Sequence, residues 1–327
     1  MAYKVIITVP DVGQKFEKEI KLMSESGFDV VWKPLNNTSD ANVVKENVKG
    51  YDFVIAGGEI WDKEVINSVK KDMSMIVRFG VGYDMVDISA ATAAGIAVSN
   101  TPGMNSGAVA EHTIALMLSL ARRVCKYDRE IRRGIWKTEL SDGLFGKVIG
   151  LVGFGAIATE VVKLVSGFSV NIVVYDIVKN EEAVKSLNVK YMELDDLLLN
   201  SDFVSIHLPL NNNTKGMVDK NFFEKMKPGA FLINTSRGLI VNENALINAL
   251  RKGLIAGAGL DVFEKEPLSS DNQLCEFENV ILTPHAASTN HEGYNGMMKG
   301  AVQNIFNFCY SKEVKSILNS EYSKYKV

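Results

Sequence analysis

Short apolar, β-branched runs alternate with longer amphipathic ones along most of the chain. That alternation predicts βαβ units and a parallel sheet. Over the first hundred residues the predicted strands are Lys4–Val9, Asp29–Trp32, Phe53–Ala56, Met75–Arg78 and Ile96–Val98. The helices predicted between them are Gln14–Ser26, Asn42–Val48, Lys63–Lys70 and Ile88–Ala94. One long helix is predicted from Ser106 to about Arg133, with an apolar middle, Thr113–Ala121. A stretch of about ten residues cannot cross a bilayer, so it reads as a helix buried between domains or subunits. A second series of strands follows: Val148–Val152, Ile172–Tyr175, Phe203–His207, Phe231–Asn234, Ala256–Leu260 and Val280–Leu282. A last helix is predicted from His291 to Phe308. The chain after His285 is too short for a third domain, so this helix is expected to pack back onto the first unit. The expected fold class is α/β, with two doubly wound parallel-sheet, Rossmann-like domains. The first is discontinuous, 1–100 plus 290–327, and the second spans 101–289. The charged tail, Ser320 to Val327, is expected to fray.

The chain has 327 residues, of which 46% are apolar and 23% charged, an ordinary globular mixture that excludes wholesale disorder. The net charge of −3 leaves no electrostatic footprint for a nucleic-acid backbone. Cys125, Cys275 and Cys309 are scattered and include no CxxC pair, which supports neither a zinc ribbon nor a disulfide framework. No secretory signal pattern and no long uncharged apolar run occurs, so a cytoplasmic protein with no membrane partner and no metal is expected.

The clearest local signal is Lys147-Val-Ile-Gly-Leu-Val-Gly153-Phe-Gly155-Ala-Ile-Ala158. An apolar strand runs into G-x-G-x-x-A and then into a helix. Gly153 allows the tight turn, Gly155 lets the backbone approach a pyrophosphate, and Ala158 is small enough for helix–strand packing. The helix N-terminus offers N–H groups and the positive end of its dipole to phosphates. The next strand ends in Asp176, some twenty residues beyond the first glycine, where an acid can take both hydroxyls of an adenosine ribose. That acid repels a 2′-phosphate and no arginine follows it, so the cofactor read here is NAD rather than NADP.

Three later segments end successive strands: Asn234-Thr-Ser-Arg237-Gly238, Leu260-Asp261 on to Glu266-Pro267, and Thr283-Pro284-His285-Ala286. Ligands of open parallel sheets sit beyond the carboxyl ends of the strands, so Arg237, Asp261, Glu266 and His285 can converge. A guanidinium binds a planar carboxylate with two parallel hydrogen bonds. A histidine can give or take the proton that accompanies hydride transfer, and a carboxylate beside it fixes its tautomer. His112 and His207 read as structural and His291 as solvent-facing.

With these segments in place, the chain resembles the D-isomer-specific 2-hydroxyacid dehydrogenase family over nearly its whole length. The resemblance extends to Arg78-Phe-Gly-Val-Gly-Tyr-Asp84, to Asn100-Thr-Pro-Gly on to Glu111, and to His207-Leu-Pro-Leu on to Thr214. It implies that Arg237 binds the substrate carboxylate and that His285, partnered by Glu266, is the acid in reduction and the base in oxidation. It implies that Asp261 contacts the nicotinamide carboxamide. Gly153, Gly155, Ala156, Ile157, Asp176, Leu208, Pro209, Thr214, Thr235, Ser236, Arg237 and His285 stand where the family contacts the dinucleotide. The turn Gly80-Val81-Gly82 would present N–H groups to the substrate carboxylate. The first domain would be the substrate-binding, flavodoxin-like one and the second the NAD-binding one. The family further implies hinge closure and a homodimer, with the helix after Ser106 and the segment around Trp136 in the interface.

In motif the chain stands closest to the phosphoglycerate dehydrogenases, without room for their regulatory domain. Val54-Ile-Ala-Gly-Gly-Glu59 carries no basic residue where phosphoglycerate binders often have an arginine, which points away from a phosphate-bearing substrate. The alternative is a glyoxylate/hydroxypyruvate or D-lactate-type reductase. A further alternative is an NAD(H)-sensing, corepressor-like binding protein.

Overall fold

The computed structural model describes residues 2–13, 15–36 and 38–325. The chain divides into two units, 1–105 with 289–327, and 106–288. The first opens with β1 (Tyr3–Ile7), α1 (Glu17–Glu25), β2 (Phe28–Trp32), α2 (Ala41–Val48) and β3 (Phe53–Ala56). It continues with α3 (Lys63–Val69), β4 (Met75–Arg78), α4 (Ile88–Ala93) and β5 (Ala97–Ser99). All five strands are parallel, in the order β2-β1-β3-β4-β5.

Successive strand residues point to opposite faces, and both faces are buried. Val5, Ile7, Phe53, Ile55, Met75 and Val77 face one core. Ile6, Val54, Ala56, Ile76 and Val98 face the other, with Val44 and Val48 of α2 and Val65, Ile66 and Val69 of α3. Each such side chain, fully buried, contributes about 1.5–3 kcal/mol, so neither face could be left in water. Acidic N-caps start these helices: the side chain of Asp40 accepts from the Asn42 N–H, and that of Asp62 from the Glu64 and Val65 N–H groups.

The second unit begins with α5 (Ser106–Ala121) and α6 (Val124–Arg132). The single helix expected over this stretch is two. Arg123 lies at φ +55°, in the left-handed region. The buried stripe of α5 ends at Ala121, and α6 buries no residue, so no core holds the second part on the first axis. Arg123 and Lys126 instead pair with Glu139, and the Tyr127 hydroxyl donates to the Glu139 carbonyl.

The unit continues with β6 (Val148–Val152), α7 (Ala156–Val165), β7 (Asn171–Tyr175), α8 (Glu181–Leu187), β8 (Lys190–Tyr191) and α9 (Leu194–Asn200). After these come β9 (Phe203–Ile206), α10 (Lys220–Lys225), β10 (Phe231–Asn234), α11 (Glu243–Arg251), β11 (Gly257–Leu260) and β12 (Val280–Leu282). Seven parallel strands run in the order β12-β11-β10-β9-β6-β7-β8. Ile149, Leu151, Val174, Phe203 and Ile233 pack with α5 and α7. Val152, Val204, Ile206, Leu232, Ala258 and Leu260 pack on the opposite side, with α9, α10 and α11.

The last helix, α12 (His291–Cys309), belongs to the first unit, where Met297, Met298, Ala301 and Ile305 enter the core that also holds Ile7 and Met75. Asn319 then ties the chain to β5: its side chain accepts from the Val98 N–H at 2.7 Å and donates to the Ile96 carbonyl at 2.9 Å. Residues Ser320–Lys324 form a 3₁₀ turn anchored by this contact rather than fraying. The expected helix start at Gln14 and the tail residues Lys326 and Val327 lie outside the described residues. Among the described residues no helix is long and apolar enough to cross a membrane.

Candidate active site

The strand order of the second unit reverses between β6 and β9, and the segments that follow β6, β7, β9, β10, β11 and β12 all lie at the carboxyl edge of the sheet. At the end of β6, Gly153 has φ +96°, and an added Cβ would stand 2.6 Å from the His207 carbonyl oxygen. Only glycine lets the turn and the segment after β9 lie this close. Gly155, by contrast, has nothing within 4 Å of the place a Cβ would occupy, which leaves its backbone open to a ligand. Gly155 and Ala156 are exposed, Ile157 is half-buried and Ala158 is wholly buried against the sheet. The first N–H groups of α7 thus face outward, in the arrangement that suits a pyrophosphate.

Asp176 ends β7, and its carboxylate braces the glycine turn. It accepts from the Phe154 N–H at 2.7 Å and from the Val178 N–H at 2.9 Å. A carboxylate has about four acceptor positions, so it retains capacity for ribose hydroxyls. After β9, Leu208 and Pro209 begin a loop closed by Thr214, whose hydroxyl donates to the Pro209 carbonyl at 2.6 Å. The His207 ring lies 2.9 Å from Ser205 Oγ, and burial pushes its pKa down to about 4. These residues fit an adenine dinucleotide: an open glycine turn, a helix N-terminus and an acid one strand over.

At the end of β10, Asn234 shapes the turn that presents Arg237. Its side-chain oxygen accepts from the N–H and the hydroxyl of Ser236, and its amide donates to the Arg237 carbonyl at 3.0 Å. The Thr235 hydroxyl meets that of Thr113 at 2.9 Å. The family resemblance gives Asn234 no role, although an asparagine just before a turn is a readable signal.

His285 follows β12 at φ +53°, and its Nδ1 lies 2.7 Å from Glu266 Oε2. Burial opposes ionisation of Glu266. The hydrogen bond and charge of His285, the Phe263 N–H bond and the charge of Arg237 outweigh it and hold the carboxyl below its ordinary range. The structure thus brings Arg237, Glu266 and His285 together. With Nδ1 held by the carboxylate, Nε2 is the ring atom left for proton transfer. Asp261 is engaged in a way that the sequence did not signal. It is wholly buried, and its two carboxylate oxygens accept from Thr283 Oγ1 and from the N–H groups of Ala286 and Ala287.

In the first unit, one N–H of the turn Gly80–Gly82 is already engaged within the fold. The Gly80 N–H is buried and donates to Thr101 Oγ1 at 3.0 Å, which fixes the turn. Val81 and Gly82 are more exposed and remain the anion-binding candidates there.

The sequence and the fold have clear relatives. The family model described as D-isomer specific 2-hydroxyacid dehydrogenase, NAD binding domain, matches residues 114–287. A glyoxylate reductase of Thermococcus litoralis is 37% identical over 334 residues, covering 98% of each chain. A D-3-phosphoglycerate dehydrogenase of Archaeoglobus fulgidus is 37% identical over 305 residues, covering 93% of this chain and 57% of that one. Among solved structures, a glyoxylate reductase from Paecilomyes thermophila superposes with a TM-score of 0.85 at 28% identity, covering 98% and 99% of the two chains. The chain belongs to the D-isomer specific 2-hydroxyacid dehydrogenase family and is an NAD-dependent oxidoreductase.

Proposed function

We propose that this enzyme reduces a small, unphosphorylated 2-oxo acid, glyoxylate foremost and hydroxypyruvate beside it, with NADH. The observation that carries the reaction is the 2.7 Å contact between His285 Nδ1 and Glu266, with the Arg237 charge acting on the same carboxylate. Bound NADH supplies the hydride. The Arg237 guanidinium holds the substrate carboxylate through its fork and polarises the keto group. His285 Nε2 gives its proton to the keto oxygen as that oxygen becomes a hydroxyl, and Glu266 keeps the remaining proton on Nδ1. In oxidation the same nitrogen takes the proton back. Asp176 and the α7 N-terminus hold the dinucleotide, with Thr235, Ser236, Leu208, Pro209 and Thr214 beside it. Within the first unit, the turn that carries Val81 and Gly82 offers main-chain N–H groups to an anion.

The choice of substrate rests on the first sheet and on the relatives. Strand order there reverses between β1 and β3, where a ligand crevice is expected. Gly57, Gly58 and Glu59 follow β3, with no cation among them. Glu59 is buried, and its Oε1 accepts from the Thr8 hydroxyl and from the Trp61 indole N–H. Its Oε2 has no hydrogen-bond partner among the described residues. A carboxyl buried at this strand end supplies no positive charge for a phosphate group. The Arg78 guanidinium, at the end of β4, donates to the carbonyls of Ala56 and Phe79. The relatives named glyoxylate reductase support this reading over the phosphoglycerate dehydrogenase expected from motif alone. The test is NADH oxidation with glyoxylate, hydroxypyruvate, pyruvate and phosphohydroxypyruvate. The expected result is the highest kcat/KM with one of the first two, and a preference for phosphohydroxypyruvate overturns the assignment.

We assign the working form as a homodimer. Trp136 is 89% exposed, Leu140 96% and Phe145 80%, a concentration of apolar surface unusual for a monomer. Light scattering on the eluting protein should give twice the chain mass, and Trp136→Glu should shift it toward the single chain.

A further inference from the structure

Asp261 fixes the turn that carries His285 with both its main chain and its side chain. Its carbonyl accepts from the His285 N–H at 2.8 Å. Its Oδ1 accepts from the Ala286 N–H and its Oδ2 from the Ala287 N–H, each at 2.8 Å. His285 stands between these anchors in a left-handed conformation, φ +53°, which a residue with a side chain keeps only when its surroundings hold it there. Asp261 is itself fixed from behind. The Thr283 hydroxyl donates to Oδ1 at 2.6 Å. On the other side of that hydroxyl, His112 Nε2, from α5, lies 3.0 Å from Thr283 Oγ1 and 3.5 Å from Asp261 Oδ1.

The proton count orders this chain. A threonine hydroxyl has one proton and two lone pairs. With the proton given to Asp261, only lone pairs face the imidazole, so His112 must donate and its Nε2 must carry a proton. We infer that His112 and Thr283 are positioning residues for His285. The His112 Nε2–H orients the Thr283 hydroxyl, the hydroxyl proton locks the Asp261 carboxylate, and Asp261 holds the turn that aims the His285 ring. Neither residue is placed against substrate or cofactor, so their effect falls on kcat. The inference rests on the role proposed above for His285.

The experiment is steady-state kinetics of the full chain with NADH and glyoxylate, together with NADH binding by fluorescence. Thr283→Val removes the hydroxyl at nearly constant volume. It is expected to lower kcat by about 10- to 100-fold, the scale of a lost hydrogen bond to a charged group, while the NADH Kd moves by less than about 2-fold. Thr283→Ser keeps the hydroxyl and should restore kcat to within about 3-fold. His112→Leu should lower kcat by several-fold, and His112→Gln, which retains an N–H donor, should recover most of the loss. A Thr283→Val enzyme with unchanged kcat overturns the inference. So do Thr283→Val and Thr283→Ser enzymes that are equally slow, because packing rather than the hydroxyl would then be responsible. If Thr283→Val does not fold, nitrogen-15 NMR of the wild-type imidazoles decides. The chain has 4 histidines, and the His112→Gln spectrum identifies the signal. Protonated Nε2 is expected, and a proton on Nδ1 alone overturns the scheme. A wild-type enzyme that reduces no 2-oxo acid would sink the proposed function, yet the NMR result would still judge the network.

Discussion

Substituting Gly238 by alanine should disable the enzyme without touching any group that meets the substrate. Gly238 follows Arg237 in the turn after β10. A Cβ there would lie 1.9 Å from both the carbonyl carbon and the oxygen of Phe263, and 2.5 Å from its Cα. All three are main-chain atoms, so no rotamer change relieves the overlap. Carbon contacts settle at about 3.5 Å or more, so the two segments must part by about 1.5 Å. That movement enters the site from both sides. Arg237 rides on one segment. Phe263 rides on the other, and its N–H donates to Glu266 Oε1 at 3.0 Å. A misplacement of about 1 Å can cost about 100-fold in rate. The predicted loss in kcat/KM with glyoxylate is therefore about 100-fold or more, roughly 2.7 kcal/mol of barrier. Overpacking of this kind should also remove about 1–3 kcal/mol of stability. The glycine turn after β6 and Asp176 are untouched, so NADH should still bind. The assay is initial-rate kinetics over a glyoxylate series, with NADH titration and urea unfolding on the same sample. A Gly238→Ala enzyme with wild-type kcat/KM would refute the steric argument and the placement of Arg237 with it.

Three further outcomes follow from the same geometry. His285→Asn should keep NADH binding and lose about 100- to 10,000-fold in kcat, the usual share of a general acid, in single-turnover and steady-state assays alike; measurable activity near wild type would contradict the proton role. Arg237→Lys should raise the KM for glyoxylate by about 10-fold or more, because a point charge cannot replace a planar fork, and unchanged kinetics would remove Arg237 from carboxylate binding. Acid should destabilise the fold in two stages, read as urea midpoints across a pH series. Unfolded His207 takes a proton near 6.5 and the folded ring only near 4, so the unfolded state binds more protons between these values and stability falls as pH drops through that window, by at most about 3 kcal/mol. Glu266 has a folded pKa below 4.5, so its stabilisation is present above that value and is lost on further acidification. A His207→Asn variant that keeps the first stage would show the wrong group to be responsible.

How far the sequence revealed this molecule depends on whether a feature was set locally or across the fold. Phe53–Ala56, Met75–Arg78 and Phe231–Asn234 are buried on both faces, so their apolar runs marked them as strands. The two residues of β8 are too short to leave a period. The break at Arg123 was hidden because α6 continues a helical composition while the burial that would hold one axis stops. At the site, Arg237, Glu266 and His285 were legible as strand-end residues of complementary chemistry. The link from His112 to Thr283 was not, since it joins residues 171 positions apart and needs the register of α5 against β12. The engagement of Gly80 by Thr101 was invisible for the same reason: a glycine-rich turn advertises donors, and only coordinates show which are already taken.

The side chains at the strand ends share one manner of support, and it has a physical consequence. Asp176 is held by the Phe154 and Val178 N–H groups, Asn234 by the Ser236 N–H, Glu266 by the Phe263 N–H, and Asp261 by the Ala286 and Ala287 N–H groups. These donors are main-chain groups in turns anchored by strands whose register the two buried cores fix. Their positions do not depend on mobile surface ions, which salt would screen. In the proposed mechanism a long charged side chain, Arg237, meets a substrate anion arriving from water. Ionic strength should therefore weaken substrate capture, through KM, and leave the geometry for proton transfer, and so kcat, nearly unchanged. On the proposed mechanism the scaffold thereby separates an electrostatic binding step from a proton-transfer step whose geometry is set by hydrogen bonds to the backbone.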